Sequence, residues 1–152
     1  MFGMSFYEKS AWGTLLATSL VGALYFNVAW NLWAADRLIA PAVFGVALGF
    51  TIMLVVLLVI FHILIAVVDR PGDEDERDRL IGWRAAQWSG FALFAGVTSI
   101  IGLVLFAGFL VDSALHAMLY SPMVIIHLLM LVVLSAQLID LGARIVFYRR
   151  GV

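Results

Sequence analysis

Residues 69–84, DRPGDEDERDRLIGWR, hold more than half of the charged residues and lie between two long apolar halves. So ionic a segment belongs in water. The rest of the chain does not: 64% of its 152 residues are hydrophobic and 12% charged, against about 45–50% and about 25% in soluble domains. The stretches 10–35, 38–68, 85–111 and 113–139 contain no Asp, Glu, Lys or Arg. Each is longer than the roughly 20 apolar residues that cross about 30 Å of hydrocarbon. The fold class read from this is all-α: an integral membrane four-helix bundle in one domain, residues 1–152, with spans at about 11–33, 41–68, 85–111 and 122–147. Short connections pair the spans into two antiparallel transmembrane hairpins.

Several function classes fall away on composition. The net charge of −1 offers no basic face for nucleic acid. Absence of cysteine removes disulfides, thiol catalysis and thiolate metal ligation. The start, MFGMSFYEKS, lacks a basic region, and no small-residue cleavage site follows the first apolar run, which reads as a retained helix. With four spans, Lys9, Arg70, Arg77, Arg79, Arg84, Arg144, Arg149 and Arg150 share one side and Arg37 stands alone on the other. Cytoplasmic loops carry the excess of Lys and Arg, so both termini and residues 69–84 are expected in the cytoplasm of a bacterial or comparable inner membrane.

Within the charged segment, Pro71-Gly72 ends span two, and Asp73 with Glu76 has the spacing of a capping pair for a new helix. Asp75 and Arg79 are four apart, as an exposed helix prefers. Arg77, Ile81, Arg84 and Trp88 fall on one face. Two readings fit: a solvated helix entry anchored by arginines in the headgroup region, or a surface of Asp75, Glu76, Arg77, Ile81 and Arg84 that docks a soluble partner.

Asp75-Glu76-Arg77-x-x-x-Ile81-x-x-Arg84-Ala85 resembles the D-E-R-x-x-x-I-x-x-K/R-A signature that enters a membrane helix in the DUF2178-like group of small prokaryotic multi-span proteins. Arg84 stands where that group often has Lys. No activity is established for the group, so the resemblance implies a four-helix prokaryotic membrane protein and no chemistry.

Span one is expected to begin near Ser10, with Trp12 and Trp30/Trp33 at the two headgroup levels. Asn27 and Asn31, four apart near its external end, would bond a neighbouring helix or interfacial water. Pro41 and Pro122 suit the first turns of spans two and four. Gly45-x-x-x-Gly49 invites close helix approach, and the small residues Ala85, Ser89, Ala92, Gly96, Ser99 and Gly102 mark span three as the central packing helix.

Span four carries Gln137, Asp140 and Arg144 at intervals of three and four, hence on one face. An isolated Asp at a helix centre costs roughly 2.5–3.5 kcal/mol, so Asp140 needs a partner. Either it pairs with Arg144, which snorkels outward, or it serves a proton or cation. His62, near the cytoplasmic level, is a neutral imidazole bonded to a neighbour or a ligand or proton carrier. His127 lies near the external level, so the two cannot share a haem, and no cofactor is expected. His116 and His127, with Asp112, Asn27 and Asn31, could line an external polar mouth, where a metal would need three or four converging ligands.

No nucleophile-base pair, phosphate loop or HExxH appears, which disfavours catalysis. The leading expectation is a non-enzymatic scaffold, regulator or subunit within the lipid bilayer. It would act through helix packing and the charged segment, on itself as a homo-oligomer or on a membrane or cytoplasmic protein. The alternative is a small oligomeric transporter or channel using Asp140, Gln137 and His62 on one half and Asn27, Asn31 and His127 on the other.

Overall fold

Hydrocarbon offers a backbone no water to bond, so a segment that crosses it must satisfy its own N–H and C=O groups. Each of the four expected spans accordingly has one unbroken helix, the third ending at Ala107 rather than at 111. The computed structural model describes residues 4–69, 75–111 and 113–151, all helices and connections among those residues, with no strand. The elements are α1 (Phe6–Ala34), α2 (Ala40–Val68), α3 (Glu76–Ala107), α4 (Ala114–Leu119) and α5 (Pro122–Arg150). α1, α2, α3 and α5 are each long and apolar enough to cross a membrane. The short α4 was not expected; six residues complete too few turns to leave a periodic pattern.

The helix starts also differ from expectation. Ser5, not Ser10, caps α1, its hydroxyl accepting from the Glu8 N–H at 3.1 Å. α3 opens with a capping box of Asp75 and Asp78: Asp75 Oδ1 accepts from the Asp78 N–H at 2.7 Å, and Asp78 Oδ2 from the Asp75 N–H at 3.4 Å. Asp73, expected to pair with Glu76, lies outside the described residues, as do Arg70 and Pro71-Gly72. Pro41 and Pro122 sit in the first turns of α2 and α5, where a missing N–H breaks no helix bond.

α1 stops in a Schellman turn. The Arg37 N–H donates to the Leu32 carbonyl at 2.8 Å and the Asp36 N–H to that of Trp33 at 3.0 Å. Asp36 itself takes a left-handed backbone, φ 53°, which a short polar side chain tolerates better than most.

The long helices stand in a row, in the order α2, α1, α5, α3, with no substantial contact between α2 and α3. α3 is therefore an edge, and the expectation that it forms the centre is corrected: α1 and α5 occupy the middle. The first four small residues of the α3 stripe face its long neighbour, while Ser99 and Gly102 are exposed and a Cβ at Gly102 would meet nothing within 4 Å. Ala85 is fully buried, and Ser89, Ala92 and Gly96 are half-buried along the same side.

Each neighbouring pair closes on one glycine. A Cβ at Gly13 of α1 would overlap the Phe61 ring of α2. One at Gly22 of α1 would lie 2.5 Å from Leu134 Cδ2 of α5. One at Gly96 of α3 would meet both methyls of Val132 of α5, at 2.6 and 2.8 Å. Dispersion falls steeply with separation, so these points hold the row together where burial from water cannot. Gly45 and Gly49, expected to pack, meet nothing within 4 Å. α2 buries only Val43, and the glycines face away from α1.

Gly96→Ala is expected to destabilise the protein by about 1–3 kcal/mol, because valine is stiff at χ1 and its two methyls cannot both move aside. Gly49→Ala, on an open face, should be neutral or slightly stabilising through helix propensity. Thermal unfolding in detergent reads both, and Val132→Ala should restore much of the Gly96→Ala loss.

Candidate functional site

Polar side chains gather at the two ends of the row. At the end bearing Glu8 and Arg149, every neighbouring pair of helices is tied. Lys9 of α1 forms an ion pair with Asp69 at the end of α2. Arg149 Nε of α5 donates to Glu8 Oε1 of α1 at 2.8 Å, and the Glu8 side chain is only 8% exposed. The Tyr148 hydroxyl of α5 donates to Asp78 Oδ1 of α3 at 2.9 Å, while Arg77 Nη2 donates to the Tyr148 carbonyl at 3.2 Å. Exposed ion pairs contribute about 0–1 kcal/mol each; the one with a buried member, Glu8, is the exception, since losing Arg149 would strand its charge.

These ties redistribute the residues expected to dock a partner. Asp75 caps α3, Arg77 holds α5, and Ile81 is 1% exposed inside the α3–α5 contact. Ile81 thus offers no surface. Glu76 and Arg84 remain exposed. Spacing placed Ile81 on a shared face with Arg77 and Arg84 but could not say that α5 covers its centre.

Two histidines repeat one arrangement on either side of α1. His62 Nδ1 lies 2.7 Å from the Leu58 carbonyl, which only accepts, so the proton sits on Nδ1 and Nε2 accepts from the Ser10 hydroxyl at 2.8 Å. His127 Nδ1–H donates to the Met123 carbonyl at 2.6 Å, and its Nε2 faces the Tyr25 hydroxyl at 3.1 Å. Tyr25 is buried and its ring stacks on His127. Each imidazole has both nitrogens engaged, each at an opposite end of the row. Spacing does not identify Ser10 and Tyr25 as the partners, because a hydroxyl on an apolar helix carries no sign of what faces it.

The external polar mouth does not assemble from its described members. Asn31 Nδ2 donates to Asn27 Oδ1 at 3.3 Å, both exposed on α1. His116 Nδ1–H donates to the Ala107 carbonyl at 3.1 Å and its ring stacks on Tyr120. Asp112 lies outside the described residues. Between α1 and α5 there is instead an apolar cavity of about 350 Å³, walled by Phe26, Trp30, Trp33, Met118 and His127 among others. Among the described residues no three of His, Cys, Asp and Glu converge as metal ligands.

On α5, Arg144 Nε donates to Asp140 Oδ2 at 2.8 Å, with side chains 41% and 14% exposed. One turn deeper, Gln137 is exposed and has no hydrogen bond to a described residue. Nothing with a known role matches this chain: no protein-family model, no curated protein and no solved structure.

Arg144→Met should cost about 1–3 kcal/mol, because it leaves a nearly buried carboxylate without its donor. The double variant Asp140→Asn, Arg144→Met should lose less than Arg144→Met alone. Equal losses in unfolding measurements would mean that the pair is not coupled.

Proposed function

We propose that this is a non-enzymatic multi-span membrane protein that works by lateral assembly, as a scaffold or subunit. α1 with α2 and α3 with α5 form two antiparallel hairpins, and both termini and residues 69–84 face the cytoplasm of a bacterial-type inner membrane. Eight of nine Lys and Arg on one side support this orientation. The short DUF2178-like motif agrees with a prokaryotic setting.

The observation that carries the reading is the bare outer edge. α2 packs substantially on one long helix, and Gly45, Gly49, Ile52 and Val56, spaced four, three and four, form a smooth stripe opposite that contact. Small-xxx-small faces let a second backbone approach closely, which is how apolar helices associate in lipid. Glu76, Arg79 and Arg84 remain exposed for a cytoplasmic partner. A transport pathway is less well supported. Asp140 is bound to Arg144, His62 to Ser10 and His127 to Tyr25, each on a different interface, and Asn27 and Asn31 bond each other outside.

The chain has no cysteine, so single-cysteine variants need no prior engineering. On intact cells, a membrane-impermeant maleimide should label Asp36→Cys and spare Ser5→Cys and Gly151→Cys. A benzophenone placed at Gly49→Cys in native membranes should give one discrete protein adduct, lost when Gly45→Leu crowds the stripe. Absence of any adduct would overturn the assembly reading.

A further inference from the structure

Gln137 stands at the midpoint of α5, about 20 Å along the helix from either end. Its side chain is exposed, within a helix long and apolar enough to cross a membrane. Some exposed hydroxyls in the long helices are discharged locally. Thr51 returns its hydroxyl to the Ala47 carbonyl and Ser99 to that of Ala95, both at 2.8 Å. Asn27 and Asn31 bond each other within two turns of the end of α1. The Gln137 amide, with two donors and an acceptor, makes no such local bond. An unmet amide in hydrocarbon is expensive, so this position calls for an acceptor and a donor from outside the chain.

The residues around it describe what supplies them. Ile126, Met130, Val133, Gln137, Asp140 and Arg144 recur at four, three, four, three and four, the spacing of a seam between two helices. The rim of this face is engaged inside the protein: Met130 Sδ accepts from the Tyr25 hydroxyl of α1 at 3.2 Å, and Arg144 lies beside Gly82 of α3. Its middle, Val133 and Gln137, is exposed, since α5 meets α1 through Leu134 and α3 through Val132. Val133 is 60% exposed, and Ile126, Leu129, Met130 and Val133 line a groove of about 320 Å³ on the same side. Asp140 and Arg144 neutralise each other, so the seam carries no net charge to repel a copy of itself.

We propose that this seam is the contact of a homodimer. A twofold axis along the membrane normal brings α5 against α5 of the partner subunit, in parallel. Two copies inserted the same way place Gln137 at one depth, and an amide is its own complement: each carbonyl accepts from the other's NH₂ group. A lipid tail on the same face would leave both amides unbonded. The inference rests on the lateral-assembly reading and names one partner, a second copy, on a surface other than the α2 stripe.

Oxidation of Val133→Cys in native membranes should give a disulfide-linked dimer, and Val146→Cys, on the opposite side of α5, should not. Energy transfer between labelled copies in vesicles should show Gln137→Leu weakening association by roughly three- to tenfold, with Gln137→Asn intermediate. Gln137 is exposed and bonds no described residue, so helix content and thermal unfolding should be unchanged. Equal cross-linking at positions 133 and 146, or association unaffected by Gln137→Leu, overturns the proposal. If the Gly49 adduct still forms, the assembly reading stands without it.

Discussion

Two apolar helices in lipid gain almost nothing by leaving the tails for each other, so they hold together only where their backbones come very close or their polar groups bond. This protein meets that constraint with one glycine per interface, Gly13, Gly22 and Gly96, each seating a side chain of the facing helix. Three seats fix three contacts, and three contacts among four helices make a row. A closed ring would have needed a fourth, between α2 and α3, and neither presents a seat to the other.

The polar ties reinforce the same order. At one end Lys9–Asp69, Glu8–Arg149 and Tyr148–Asp78 join the helices in the sequence α2, α1, α5, α3. Ser10–His62 and Tyr25–His127 repeat two of those joins. Polar residues that looked like a path through the membrane are therefore mostly spent on holding neighbours. What is left over is the outer stripe of α2 and the Gln137 seam of α5, and both suit association better than transport.

The expectations that failed share one cause. Gly45-x-x-x-Gly49 and the small stripe of α3 have the same spacing, yet the first faces outward and the second, over its first four residues, faces α5. Periodicity assigns residues to a face but leaves open which neighbour covers it. Ile81 shows the same limit, since its register beside Arg77 and Arg84 held no hint that it would be buried. Asp140 and Arg144 were readable because both partners lie on one helix, four residues apart. Tyr148 and Asp78 are seventy residues apart and were not.

Composition and charge spacing alone fixed the helical class, the four long apolar helices and the ionic stretch between the halves. Those follow from the cost of placing backbone amides and charges in hydrocarbon, which each segment meets by itself. Only the tertiary structure decided which helices stand in the middle, which glycines touch and which polar groups find partners. These are pairwise matters, set by where two surfaces meet, and no single helix contains them.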